Sequence, residues 1–319
     1  MSDVERIRNH PRNQLILPTF FVMLGLWAAG IAVWLVTDDP LLLIFFAYVG
    51  LFVGVGIGGY IALPDRQRPL ARRMAMVMLG SLLLVLAFVT DHGNMQPEGF
   101  FFALLAGIGP FILLHYLIAK IVGPLLFGRI WCGRACWFGM VFEMLPYPYS
   151  RYRKPGAPEW PRYAFLAASL LLVAALVYGI GYTGGAVGRT GVTWFLGGMA
   201  IYYITGISMA LVLQDNRAFC KYLCPIAVPL KLSSRFSLLK IRGTTAENCD
   251  TCEACVEMCP MNIRVKDYVL AEERVLSTEC TLCQTCISIC PHDVLVLSLG
   301  ADVGGKEIYD FEPEVRRPA

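Results

Sequence analysis

Charge is what this sequence has least of. Of its 319 residues only 16% are Asp, Glu, Lys or Arg, against 56% hydrophobic ones, whereas a soluble globular chain carries about 25% charged residues. Such a deficit implies long stretches with no side chain facing water. It excludes an ordinary soluble protein, a disordered chain and a soluble nucleic-acid binder. The 27 basic and 24 acidic residues leave a net charge of +3, too small to indicate a polyanionic partner, so the placement of the basic residues matters more than their number. Cysteine is absent from residues 1–131, although the chain has twelve, and eight of them lie between 249 and 290. A disulfide scaffold spreads its cysteines through a short secreted chain, and this clustering reads instead as metal ligation. Histidine is also scarce. His115 alone falls inside an apolar segment; a bis-histidine haem needs two facing imidazoles, so haem b held by this chain alone is not expected. The tail carries no nucleotide loop, flavin fingerprint or catalytic triad.

Six apolar segments are present, 15–36, 41–63, 74–90, 100–127, 163–183 and 192–213. About 20 residues cross the hydrocarbon core, so each is expected to be a transmembrane helix. The longest, 100–127, contains Pro110 and is expected to tilt, kink or overrun the core. The first run has 22 residues, longer than a signal-peptide core of about 7–15, and reads as a retained span. Basic residues sort the connections. Arg6, Arg8 and Arg12 precede the first span; Arg66, Arg68, Arg72 and Arg73 fill the second connection; Arg129, Arg134, Arg151, Arg153, Lys154 and Arg162 fill the fourth. The opposite set, 37–40, 91–99 and 184–191, holds only Arg189. By the positive-inside rule both termini are expected in the cytoplasm, the membrane being the inner one of a bacterium. Gly50, Gly54 and Gly58 share one helical face and read as close packing through small residues.

The expected architecture is an all-α polytopic membrane domain of about six helices, in contact with membrane lipids, followed by a small α+β two-cluster bacterial ferredoxin-like domain. Its parts are a cytoplasmic N-terminus, 1–14, the membrane domain, 15–235, the cluster domain, 244–298, and a C-terminal tail, 299–319. A domain this small depends on metal for a core. Cys249, Cys252, Cys255 and Cys259, followed by Pro260, give C-x2-C-x2-C-x3-C-P, and Cys280, Cys283, Cys286 and Cys290, followed by Pro291, repeat it. Three cysteines at this spacing let a loop fold over one cluster, while the fourth points toward the other. Cluster one would use Cys249, Cys252, Cys255 and Cys290, and cluster two Cys280, Cys283, Cys286 and Cys259. Paired zinc sites are the competing reading, for which a 15–20-residue spacer between C-x2-C units would be usual. His292, next to Pro291, reads as shaping the second half, and His92 as a solvated loop residue. With CDTCEACVEMCP and CTLCQTCISICP, the tail resembles the bacterial two-cluster ferredoxin fold. The resemblance implies two 4Fe–4S clusters close enough to exchange electrons.

The other four cysteines form a second repeat. Arg129-Ile-Trp-Cys132 to Cys136 and Arg217-Ala-Phe-Cys220 to Cys224 both read R-x-aromatic-C-x3-C, each just past an apolar segment. An approach of those ends would gather four soft ligands, suited to a further iron–sulfur or thiol redox site, with reversible disulfides or buried small hydrophobes as alternatives. Together with the ferredoxin tail, these pairs make the chain similar to the membrane polyferredoxin family that includes NapH, the membrane portion of NosR, and CcoG. In that family both pairs are commonly followed by Pro; here Cys224-Pro225 keeps the pattern and Cys136-Trp137 does not. The resemblance implies an electron-transfer subunit working between a quinol or membrane redox partner and a partner reductase rather than a stand-alone enzyme. Its rival, through the CcoG likeness, is a maturation factor that reduces a metal or cofactor for another enzyme. His115 and Tyr116, inside the fourth segment, are the candidate quinone contacts.

Overall fold

The computed structural model describes residues 16–64, 67–89, 94–107, 110–146, 153, 159–247, 249 and 252–310. The expected segment 1–14, together with Arg66, His92, Arg151, Lys154 and the end of the 299–319 tail, lies outside the described residues. The chain forms two compact units, Met1–Leu83 and Leu84–Ala319.

The first unit is a helical hairpin, α1 (Ile16–Thr37) and α2 (Pro40–Ala62), followed by most of α3 (Arg68–Val89). Asp39 starts α2, its carboxylate accepting from the Leu41 backbone N–H at 2.9 Å, with Pro40 in the first turn where no amide donor is needed. The glycine stripe faces α1: added Cβ atoms would overlap Trp27 at Gly50 and Met23 at Gly54, and would touch Thr19 at Gly58. Small residues on α2 thus receive large ones spaced every four residues on α1. The Tyr48 hydroxyl donates to the Met78 carbonyl at 3.0 Å and lies 2.8 Å from the Ser81 hydroxyl, tying α2 to α3.

The second unit begins with α4 (Pro97–Ala106) and α5 (Ile112–Phe127), turns through the short helices α6 (Ile130–Arg134) and α7 (Trp137–Phe142), and crosses back along α8 (Trp160–Gly179) and α9 (Gly188–Leu213). Two short helices follow, α10 (Ala218–Tyr222) and α11 (Ala227–Ser234). The tail then folds as β1 (Leu239–Gly243), α12 (Ala254–Glu257), α13 (Val265–Leu270), α14 (Thr285–Ile289) and β2 (Leu295–Leu299). β1 and β2 pair antiparallel, Leu239 opposite Leu299 and Gly243 opposite Leu295, which closes the tail end to end.

The expected six spans are matched in part among the described residues. Among the described residues four helices, α1, α2, α8 and α9, are long and apolar enough to cross a membrane, and α5 with the α6–α7 segment, bent by 95°, makes a fifth if counted as one span. Segment 100–127 is broken: Gly107 caps α4 at φ 68°, a left-handed conformation open to glycine, and a new helix starts at Pro110. Segment 74–90 belongs to the longer α3, whose N-terminal half carries Arg68, Arg72 and Arg73. The connection 91–99, read as an external loop, is buried from its middle onward, with Asn94 and Gln96 fully buried and Glu98 nearly so.

Gly54→Leu should drive the hairpin apart at Met23. Overpacking of this kind costs about 1–3 kcal/mol, so the variant should unfold at lower temperature in detergent, whereas Gly25→Leu, where an added Cβ meets nothing within 4 Å, should not.

Candidate metal centres

The tail folds its two cysteine motifs around two cavities. One is lined by Cys249, Cys252, Cys255 and Cys290 against Val294 and Leu295. The other is lined by Cys259, Cys280, Cys283 and Cys286 against Ile241 and Ile263. Each cavity therefore takes three cysteines from one motif and the fourth from the other. Asn262, Leu282 and Gln284 sit at positive φ and turn the loops, and the Ile263 backbone N–H donates to Cys259 Sγ at 3.4 Å. His292 reaches the lip of the first cavity while remaining exposed.

The donor set fits a cluster. Among the described residues no three His, Cys, Asp or Glu side chains converge to hold a single metal ion. Four soft sulfur donors around each apolar void suit an iron–sulfur cluster, and the C-x2-C-x2-C-x3-C-P spacing that supplies them is that of two-cluster ferredoxins. Burial pushes the Cys255 and Cys280 thiols up to about 12 and Cys259 to about 11, so without a metal these side chains are neutral at pH 7 and ligation would release their protons.

The four remaining cysteines are also brought together. Cys132 lies on α6, Cys136 caps α7 by accepting from the Gly139 backbone N–H at 3.5 Å, Cys220 lies on α10 and Cys224 follows it. All four belong to one core with Phe138, Phe142 and Phe219, within electrostatic reach of one another. The repeated arginines have repeated roles. Arg129 Nη1 donates to Glu279 Oε2 at 2.7 Å, and Arg217 Nε donates to Glu143 Oε1 at 3.1 Å, all four side chains being buried. Arg217 also reaches its own repeat's Cys220 Sγ at 3.6 Å and the Cys132 carbonyl at 3.2 Å.

The residues between these rim cysteines pack against the tail's second motif and the turn after Cys259. Gly133, inside the first C-x3-C, packs on the Thr281 carbonyl so closely that a Cβ would overlap it. Lys221, inside the second, is buried between Asp215, at 2.7 Å, and Asn262, three residues past Cys259. Glu279, beside Cys280, is the hub of the docking: Arg129 from the α5–α6 turn, Arg162 from α8 at 2.6 Å and Lys231 from α11 at 3.1 Å converge on it. Burial alone would raise its pKa, but Arg129, Arg162, Lys231 and Arg153 outweigh it and hold the carboxyl well below the usual range. The sequence marked the arginines without finding Glu143 or Glu279, since a lone carboxylate has no spacing to betray it. Tyr116 is buried and stacks on Phe100 with 4.3 Å between ring centres. Tyr116 lies within electrostatic reach of Glu98 and Cys224, and His115 beside it is half-buried.

Comparison with known proteins agrees with the chemistry of these donor sets. A 4Fe–4S dicluster domain family matches residues 248–294, and a 4Fe–4S binding domain family matches twice, over 108–154 and 198–242. The latter two stretches contain the two rim pairs. The chain is 26% identical over 192 residues to an uncharacterized protein of Methanocaldococcus jannaschii, covering 54% of this chain and 70% of that one. A second uncharacterized protein of the same organism is 29% identical over 180 residues, covering 52% and 73%. The methylamine utilization ferredoxin-type protein MauN of Paracoccus denitrificans is 39% identical over 46 residues, 14% of this chain and 16% of its own. No solved structure matches. The chain thus combines ferredoxin-type 4Fe–4S domains with apolar helices, the makeup of an iron–sulfur electron-transfer protein associated with a membrane.

Glu279→Gln should leave Arg129 and Arg162 buried without a counter-charge, a change that costs about 3–5 kcal/mol. The tail should then detach from the helices, read as faster backbone hydrogen exchange over 276–284 and over 129–134 together. Unchanged exchange in both segments would show that Glu279 does not hold the docking.

Proposed function

We propose that this chain is a membrane-bound electron-transfer subunit that passes electrons between a quinol or other membrane redox partner and a partner reductase. The observation that carries the reading is the three-plus-one sorting of eight cysteines around two apolar cavities. Cys249, Cys252, Cys255 and Cys290 would hold one 4Fe–4S cluster, and Cys280, Cys283, Cys286 and Cys259 the other. Such clusters, when bound, gain and lose one electron at a time without moving protons or atoms. The protein's own task is to hold the sulfurs, exclude water and set the charge around them. Apolar walls from Ile241, Ile263, Val294 and Leu295 do the second, and the buried Lys221, paired with Asp215 and bonded to Asn262, does part of the third.

Cys132, Cys136, Cys220 and Cys224 would form a further redox site where the helices meet the tail. Support comes from their shared core, from Gly133 packed on the Thr281 carbonyl, and from the 4Fe–4S binding domain matches that cover both pairs. The order would be membrane partner, rim site, second cavity, first cavity, partner reductase, with direction set by potentials. Both termini and the tail would be cytoplasmic, on the strength of the arginines that crowd one set of connections.

Anaerobically purified protein should contain about eight iron and eight acid-labile sulfides from the tail, and more if the rim site binds a cluster. Zinc in place of iron would end the reading. Cys259→Ser should preferentially damage the cluster shared with Cys280, Cys283 and Cys286, seen as partial loss of the electron paramagnetic resonance signal of the reduced protein. Cys132→Ser and Cys220→Ser should each slow reduction by a quinol analogue. Wild-type iron content and rate in both would make the rim cysteines structural. Reporter fusions after residues 68, 155 and 300 should report cytoplasm.

A further inference from the structure

Between α8 and α9, beneath the start of α4, lies a cleft of about 560 Å³, within the size range of small-molecule sites. Its walls are apolar, formed by Phe165, Ala168, Leu172, Trp194, Gly197 and Ile201. Glu98 also lines it. This carboxylate is nine-tenths buried; Oε1 accepts from the Ser169 hydroxyl at 2.7 Å and the Tyr202 hydroxyl at 3.3 Å, whereas Oε2 has no hydrogen-bond partner among the described residues. Gln96 Oε1, against Gly198 on the same side, is likewise buried without one.

Depth follows from the helices. Ser169 is the tenth residue of Trp160–Gly179, and Tyr202 the fifteenth of Gly188–Leu213, so Glu98 stands about halfway along two apolar spans. The break at Gly107 makes this possible. It leaves α4 as a separate helix of ten residues, about 15 Å long, whose N-terminal turn, carrying Glu98, sits inside the bundle instead of at a membrane surface. An acceptor oxygen left unsatisfied in hydrocarbon costs free energy unless something donates to it. Anything reaching it from the bilayer must be lipid-soluble and carry a hydroxyl or similar donor.

We propose that this cleft binds the headgroup of a hydroquinone lipid, one ring hydroxyl donating to Glu98 Oε2 and the ring lying against Trp194 and Phe165. The choice of a redox lipid rests on the electron-transfer reading above; the location rests on the cleft. Tyr202, at its floor, connects it to the rim site: its ring centre is 5.1 Å from Phe138 and 5.7 Å from Phe219, which stand two residues past Cys136 and one before Cys220. The floor of the cleft and the rim cysteines therefore pack in one core. Glu98 is the group that receives the ligand, with Tyr116 within electrostatic reach of it.

The full chain in lipid nanodiscs, kept anaerobic, can be titrated with a decyl benzohydroquinone and photolabelled with an azidoquinone, iron being measured on the same samples. Saturable binding is expected, with label on peptides from 160–179 or 188–213. Glu98→Gln keeps the shape and loses the charge-assisted bond, so binding should weaken about tenfold. Gly197→Leu, at a position where an added Cβ meets nothing within 4 Å, should fill the cleft and reduce binding at least as much while iron stays at the wild-type level. Wild-type affinity in both variants, label on the 110–127 peptide, or no binding beyond that of empty nanodiscs, which would mean a cleft filled by lipid chains alone, would each overturn the proposal. Iron content judges the electron-transfer reading separately: protein without iron that still labels in the cleft keeps this site and loses that reading.

Discussion

A single buried carboxylate organises the second unit. Glu279 is fully enclosed, and its cations come from three different places in the helical region, Arg129, Arg162 and Lys231. Removing four charges from water is unfavourable by itself, and mutual attraction compensates only where geometry and remaining hydrogen bonds are good. Such a cluster adds little net stability compared with a hydrophobic contact, but it tolerates almost no displacement. A sliding hydrophobic interface would let the tail wander by a side chain's width. Here Arg162 at 2.6 Å and Arg129 at 2.7 Å fix it from two sides, and the Gly133 contact permits backbone to lie on backbone. Electron tunnelling falls steeply with separation, so rigidity of this kind is what a relay between a membrane and a small domain requires.

The repeated arginines show the same device used twice. Arg129 and Arg217 occupy equivalent positions ahead of their cysteine pairs, and each is neutralised by a buried glutamate from elsewhere in the chain. One partner lies in the tail and the other, Glu143, lies just past α7. The repeat therefore preserves local chemistry while its two halves face different neighbours. Both halves still reach the tail, the first through Arg129 and Gly133 and the second through Lys221 on Asn262.

Much of this was legible in the sequence where the signal is local. The cysteine spacings in the tail state their chemistry directly, because a cluster demands thiolates at fixed intervals on one short loop, and the matching frames around Cys132 and Cys220 indicated that those ends would meet. The glycine stripe on α2 also packs as its period suggests. What escaped was long-range or conformational. Gly107 lies in an apolar run that reads as one span, since a glycine is as compatible with a helix as with its end, and only the neighbouring structure decides. Glu98 sits at the edge of a polar connection and carries no local signal of burial; Ser169 and Tyr202, which enclose it, lie 71 and 104 residues away in sequence. Glu143 and Glu279 escaped for the same reason, each being one carboxylate among twenty-four acidic residues.

The crossed sorting of cysteines around the two tail cavities bears on how such a domain can change over time. The motifs look like a simple duplication, and simple duplications can usually be shortened back to one copy. These cannot. Each void borrows one wall from the opposite motif, Cys290 for the first and Cys259 for the second, and the closing strands β1 and β2 lie at the two ends of the pair. Deleting either copy would leave three-quarters of one thiol set and an unpaired strand. The interlacing makes the tail indivisible, so neither copy can be lost without dismantling both thiol sets at once.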